Sequence, residues 1–374
     1  MTKHIDLFLK IISAGLWEDI PGRLSADAEG ISDEQWQTIC SLAEEQTVEG
    51  LFAAGIDCLG LRPPKPVALK LLKRELSLEK ANASINTFIA KLFGRFDEEG
   101  ISAMLVKGQG IGRNYVRPAW RTPGDVDLLL SAGDYEKAKA FLLPKATLVD
   151  EEYKYHRHFG MFFGKHEVEL HGTMYSLLSF RIDRNLSRYQ DEMLSSGRKS
   201  VWDNSGRAVP VPDIDTDTVF IFTHILQHFF KEGIGLRQIC DWCRLLWTGR
   251  ESIDTAMLGQ RLREMGIMDE WKAFACFAVK FLAMPEEAMP FHESASKWER
   301  KARRILSYVF ATGNFGTARD ISYKGGRYVS RKIVGLFKRV FDYLRYHLLT
   351  FPMSAPRFLF HSILISFNNV LHGQ

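Results

Sequence analysis

Cysteine is scarce in this 374-residue sequence. There are five, an odd number and far below the density of a small secreted disulfide scaffold, so a reducing, cytoplasmic setting is expected. Long apolar runs are missing as well. No window of 18 apolar residues is free of charge, so no membrane-spanning helix is expected. The first ten residues carry His4 and Asp6 and lack an apolar core followed by small residues, so a cleaved signal is not expected either. Acid is scarce at one end only. From Lys297 to Gln374 there are 14 Lys+Arg against 3 Asp+Glu, although the whole chain is only +4. That tail is a separate electrostatic object. The apolar fraction, 46%, is that of an ordinary globular protein, and the length allows two or more domains.

What is present centres on Leu105 to Leu130. The apolar run Ala103-Met104-Leu105-Val106 suits a buried strand. Lys107 follows, with Gly108, Gly110 and Gly112. A second run then carries two acids, Asp125-Val126-Asp127-Leu128-Leu129-Leu130. On a strand these acids share one face while Val126, Leu128 and Leu130 take the other. Their Cα atoms then lie about 7 Å apart and the carboxylates repel. A hard divalent cation such as Mg²⁺ relieves that repulsion. Glycines between a strand and a helix leave backbone N–H groups for phosphate. Metal-binding acids beside a phosphate cradle equip a site for phosphoryl or nucleotidyl transfer. The bland alternative is a solvated strand end and an ordinary turn. Gly108-x-Gly110-x-Gly112 lacks the spacing of a dinucleotide fingerprint.

These residues carry a resemblance. Lys107-Gly108-Gln109, followed after fifteen residues by Asp125-Val126-Asp127, resembles the signature of DNA-polymerase-beta-like nucleotidyltransferases. With Tyr115, Arg121 and Gly124 included, the pattern is similar to a poorly characterised bacterial branch of that superfamily. Many relatives have Ser where this chain has Gln109. The resemblance implies two Mg²⁺ ions, or Mn²⁺, on Asp125 and Asp127, with a third carboxylate on a neighbouring strand. Val168-Glu169-Leu170-His171 resembles the family's Glu-Leu-His element, so Glu169 takes that third place as ligand and general base. Glu167, on the same face, is its competitor. Gly108 and Gln109 are expected at the β- and γ-phosphates, and Lys107 and Arg121 as charge support. The string His224, His228, Leu236, Asp241 resembles the family's helical domain, so the likeness runs over roughly residues 35 to 280.

The rest of the chain is read by periodicity. Ile5 to Ile12 recur at helical spacing, and Ser32-Asp33-Glu34-Gln35 spells a capping box. Trp36 to Leu51 suggests one or two packed helices, and Leu69 to Phe96 a long one after the break at Pro63, Pro64 and Pro66. A helix is expected from Asp134. Phe159–Phe163 and Glu167–His171 read as an antiparallel pair, and residues 199 to 211 as a hairpin around Asn204-Ser205-Gly206. A helix from Val219 to Phe230 puts His224 and His228 on one face, and Leu236 to Leu246 forms the next. The histidine pair either lines the cleft, packs the helix or binds a metal. His171 has similar alternatives. Cys240-x-x-Cys243 has no second pair, which argues against zinc. In the tail, Arg331 to Phe341 is an amphipathic helix with a cationic face, followed by the apolar run Phe358 to Phe367. That tail is either a solvated face, a membrane-surface contact or, less favoured, a nucleic-acid contact.

The expected fold class is α+β: a nucleotidyltransferase-type mixed sheet with flanking helices, between helical N-terminal and C-terminal regions. The expected division is a helical region 1–98, a core 99–180, a hairpin and helical domain 181–290, and a basic tail 291–374. The expected partners are a nucleoside triphosphate and an acceptor hydroxyl that the sequence does not name. Two other readings stand beside the enzyme: an accessory protein of surface-polysaccharide assembly, and a toxin–antitoxin-like enzyme that nucleotidylates protein.

Overall fold

The computed structural model describes residues 3–20, 30–153, 157–314 and 340–371. Residues 331–339 of the cationic helix expected in the tail lie outside them. Among the described residues, four helices precede the sheet: α1 (Lys3–Leu16), α2 (Asp33–Glu45), α3 (Glu49–Cys58) and α4 (Lys65–Glu98). The capping box forms as written. The Gln35 N–H donates to Ser32 Oγ at 3.2 Å, and the Ser32 N–H donates to Gln35 Oε1 at 2.8 Å. Pro66 sits in the first turn of α4, where the missing N–H would have had no helical partner. Helices α1 and α3 cross with their backbones almost touching. A Cβ on Gly15 would lie 2.0 Å from the Leu51 carbonyl oxygen, and one on Gly55 would lie 1.9 Å from that of Ile11.

The sheet runs β1 (Ala103–Val106), β2 (Val126–Leu130), β3 (Leu148–Val149), β4 (His158–Phe163) and β5 (His166–His171), in spatial order β1-β2-β5-β4-β3. Helix α5 (Gly108–Gly112) follows β1, and α6 (Ala132–Leu142) follows β2. Among the described residues, only β2 and β5 pair in parallel. Alternation sorts the faces. Val126, Leu128, Leu130, Val168 and Leu170 pack with α6 and with Ile85, Ile89, Leu92 and Phe96 from the second half of α4. The opposite face carries Asp127, Glu169 and His171 alongside Met104, Val106 and Leu129, which join a second, helical core.

That second core is built by α7 (Phe180–Ser196), α8 (Ile214–Lys231), α9 (Leu236–Gly249), α10 (Thr255–Met265), α11 (Met268–Leu282) and α12 (Ser296–Thr312), together with α1 to α3. Phe222, Trp242, Trp271 and Phe274 cluster at its centre, with ring centroids 4.8–5.9 Å apart. The hairpin β6 (Ser200–Asn204) and β7 (Arg207–Val211) contributes Val209 and Val211 to the sheet core. Two ties fasten the chain's start to this bundle. Trp17 Nε1 donates to the Leu282 carbonyl at 2.6 Å, and Arg244 donates to the Leu16 carbonyl at 3.0 Å and to Asp19 at 2.9 Å. The apolar run at the end lies on α13 (Ser354–Leu371). No helix among the described residues is long and apolar enough to cross a membrane.

Helices α6 and α8 begin earlier than periodicity predicts. α6 starts at Ala132 because Ser131 caps it, its hydroxyl accepting the Asp134 N–H. α8 starts at Ile214 because Asp213 accepts the Thr216 N–H and the Thr216 hydroxyl. In both, the polar cap outweighs the first apolar residue as the start signal.

Candidate active site

Asp125 immediately precedes β2 and Asp127 is its second residue. The register then supplies the third acid. Asp127 lies directly beside Glu169 on the parallel neighbour β5. One carboxylate oxygen from each of Asp125, Asp127 and Glu169 falls within 4.8 Å of the others. Asp127 is 2% exposed. Glu167 lies outside the paired stretch of β2 and β5 and is not part of this trio.

Three crowded acids, with Asp127 buried among them, need compensation, and the side chains around them supply some. Lys107 Nζ donates to Asp127 Oδ1 at 2.7 Å. His171 Nε2 lies 2.7 Å from the same oxygen and 3.2 Å from Glu169 Oε2, and His158 Nε2 is 3.2 Å from Glu169 Oε2. The titration behaviour follows. The Asp127 charge, then burial, pushes the Asp125 carboxyl up to about 7. Burial alone would raise Glu169 too, but hydrogen bonds from His158 and His171 hold its carboxyl well below the usual range. Burial opposes the charge on Lys107, yet the three acids keep its ammonium above its ordinary value.

The turn after β1 is strained. Lys107 has φ +53° and ψ −147°, a region that side chains rarely adopt. Gly108 has φ +34°, and a Cβ there would stand 3.1 Å from the Asp125 carbonyl. This turn therefore lies directly against the acid loop. Both Lys107 and Gly108 line a cleft of about 510 Å³ that also contains Asp125, Asp127, Glu169 and His171.

Helix α8 forms the facing wall with Phe220, His224 and His228, one helical turn apart. His224 and His228 join through their Nε2 atoms at 3.0 Å, and His228 Nδ1 meets Glu232 at 3.0 Å. Burial, then the neighbouring His228, Lys107 and His171, depresses His224 well below the ordinary imidazole value. Asp241, on α9, lines the cleft floor but faces Arg121. The two make a double hydrogen bond, and the Tyr115 hydroxyl also donates to Asp241 at 2.7 Å.

The remaining expected contact falls elsewhere. The Gln109 amide donates to Asn82 Oδ1 at 3.1 Å and Asn86 Oδ1 at 2.6 Å on α4, and its side chain does not line the cleft. Cys240 and Cys243 are fully buried in the helical core, and both are free thiols. His158 was missed by sequence reasoning, although a signal existed. Counting back along the β4–β5 hairpin from its two-residue turn pairs His158 with His171. Arg237, another cleft residue not singled out, donates to the Thr122 carbonyl at 3.3 Å.

A mixed sheet with flanking helices, carrying clustered carboxylates over a cleft, is an α+β fold of nucleotidyltransferase type. The chain belongs to the family described as "uncharacterised nucleotidyltransferase", whose sequence model matches residues 32–283. That match spans the sheet, the acid trio and helices α8 to α11, and the membership assigns the chain a nucleotidyl-transfer role. No curated protein and no solved structure matches.

Proposed function

We propose that the protein transfers a nucleoside monophosphate from a nucleoside triphosphate to an acceptor hydroxyl, releasing pyrophosphate, in the manner of the polymerase-beta-like superfamily. The observation that carries this is the convergence of Asp125, Asp127 and Glu169 within 4.8 Å in a cleft large enough for a nucleotide. Their donor set is all oxygen, and the upward push on Asp125 is the like-charge repulsion that a cation removes. Both features fit a hard divalent ion, so these three residues would hold Mg²⁺ or Mn²⁺, two ions in the full assignment. Bound there, such ions neutralise the triphosphate and make the acceptor hydroxyl more acidic.

The chain's own groups do the rest. Glu169, kept ionised by its imidazole partners, is assigned as the acceptor of the hydroxyl proton at its Oε atoms. Lys107 balances Asp127 in the resting site and is the lysine that lines the cleft a triphosphate would enter. Gly108 brings backbone to the same edge without a side chain in the way. Arg121 contributes charge rather than a free fork, because Asp241 occupies its donors. His171 and His158 orient Glu169, and the α8 wall of Phe220, His224 and Ile225 shields the site from bulk water.

A peripheral role is proposed for the tail. Phe360 is 64% and Met353 87% exposed on a segment whose charge is strongly basic, which suits an anionic membrane surface. Co-sedimentation with anionic vesicles that persists at low salt and disappears at about 0.5 M, where screening falls to about 4 Å, supports it.

The catalytic reading is tested by Asp125→Asn/Asp127→Asn. It should abolish divalent-ion-dependent pyrophosphate release while circular dichroism shows the variant still folded. Unchanged turnover rejects the assignment. Absence of any thermal stabilisation by nucleoside triphosphates with Mg²⁺ would favour an accessory protein instead.

A further inference from the structure

Glu169 belongs to two clusters, and the second differs in chemistry from the first. His158, Glu169 and His171 also place one ligand atom each within 4.8 Å of the others. We infer that these three side chains form a binding site for a transition-metal ion of the zinc class, and that its occupation draws Glu169 away from Asp125 and Asp127.

The strand register builds this site. His158 and His171 are directly opposed across the antiparallel β4–β5 pair, and Glu169 precedes His171 by two residues, on the same face. A Glu-x-His pair on one strand and a His facing it from the next give three converging ligands on rigid backbone. The spacing fits. Two ligands at about 2.0–2.1 Å from a tetrahedral ion stand about 3.3 Å apart, and both His Nε2–Glu169 Oε2 separations are 3.2 Å. The rings of His158 and His171 lie with centroids 4.8 Å apart. All three side chains line the cleft, so the fourth position is open to water or substrate.

The donor set discriminates between ions. Two imidazoles and a carboxylate favour Zn²⁺ or Co²⁺, whereas the all-oxygen trio favours Mg²⁺ or Mn²⁺. An ion on the imidazoles must replace the His171–Asp127 contact of 2.7 Å, which is shorter than the spacing of two ligands on one such ion. His171 then binds as the neutral ring, its proton passing to solvent. Because both ions need Glu169, zinc-class occupancy opposes the magnesium-class site. That second half rests on the nucleotidyl-transfer reading; the binding itself does not.

The test uses the full chain titrated with Co²⁺ in excess Mg²⁺, read by visible absorption. A saturable band at one ion per chain is expected. His158→Gln keeps a hydrogen-bond donor beside Glu169 but is a poor ligand, so it should weaken cobalt binding by about ten-fold or more. Asp125→Asn should leave the band in place. Circular dichroism of each variant controls for folding. No saturable band, a band unchanged in His158→Gln, or one lost equally in Asp125→Asn would each overturn the site. With activity in hand, Zn²⁺ should inhibit pyrophosphate release, and His158→Gln should relieve that inhibition. If no pyrophosphate is released at all, the nucleotidyl-transfer reading fails while the cobalt titration still decides this one.

Discussion

Arg121 and Asp241, 120 residues apart, grip each other through two parallel hydrogen bonds of 2.8 Å, Nε to Oδ1 and Nη2 to Oδ2. Both side chains are nearly buried, 5% and 11% exposed. The pair joins the loop that feeds β2 to helix α9, and so holds the Asp125 loop against the helical core. Asn82 reinforces it by donating to the Arg121 carbonyl at 2.9 Å.

Removing one partner leaves the other charged and buried, which is worse than removing both. Asp241→Ala should therefore destabilise the protein by about 3–5 kcal/mol, and Arg121→Met/Asp241→Leu should recover much of that loss. Arg121→Lys should fail to substitute, because an ammonium lacks the planar two-donor edge. Urea unfolding midpoints for the single and double variants measure the coupling directly.

This pair also marks how far sequence alone reaches. Arg121 was legible as charge support and Asp241 as part of the likeness to the family's helical domain, but nothing in local spacing says that they bind one another. Local devices were readable: the Ser32 capping box, the long stripe of α4, the alternation that puts Asp125 and Asp127 on one face of their strand. Glu169 stood out from Glu167 only through a resemblance, and the parallel register with β2 then places it beside Asp127. The Gln109 amide illustrates the opposite case. Its position after Lys107-Gly108 pointed to phosphate, yet Asn82 and Asn86, brought alongside by α4, take its two donors. A contact between the short helix α5 and a helix more than twenty residues upstream is tertiary, and no periodicity encodes it.

The crossing of α1 and α3 depends on two missing side chains. A methyl group on Gly55 would sit 1.9 Å from a backbone oxygen, which no rotamer change relieves. Gly55→Ala should force the helices apart and destabilise by about 1–3 kcal/mol or more, the range for overpacking. Gly60→Ala makes a useful contrast. There a Cβ meets nothing within 4 Å, and only the φ of +62° opposes it, so its loss should be the smaller one. Thermal melts of the two variants rank them; a larger loss at Gly60 would contradict the close crossing.

Asp217, in the first turn of α8, is 3% exposed, and its Oδ1 has no hydrogen-bond partner among the described residues. Burial pushes its carboxyl up to about 7, with Arg113 opposing. The folded value is above the unfolded one, so the folded state binds the proton more tightly. Stability from this group is complete below about pH 4 and is lost as pH rises through about 7. Asp217→Asn cannot ionise. Its stability relative to the natural protein should grow from about pH 4 to about pH 7 and level off above. The gap should reach at most about 4 kcal/mol, from about three pH units at about 1.4 kcal/mol each. Urea unfolding at pH 5 and pH 8 checks the sign; a gap that narrows with rising pH would refute it.

Lys107 tests whether the acid trio is a cation site. Its side chain is 15% exposed, and its Nζ lies 2.7 Å from Oδ1 of Asp127, whose side chain is 2% exposed. Lys107→Ala removes that charge and leaves Asp127 with His171 as its close partner. Without divalent ions the variant should be less stable than the natural protein, by about 3–5 kcal/mol where the pair is fully desolvated and less where water enters. Added Mn²⁺ or Mg²⁺ would then replace the lost charge. The ion-induced rise in melting temperature should be larger for Lys107→Ala than for the natural chain, because the natural lysine competes with the ion for Asp127 Oδ1. Pyrophosphate release should fall in the variant even with ions saturating, since the lysine that lines the cleft is gone. Equal ion-induced shifts in the two proteins would mean that the ion and Lys107 do not share Asp127, and the carboxylate trio would lose its role as a metal site.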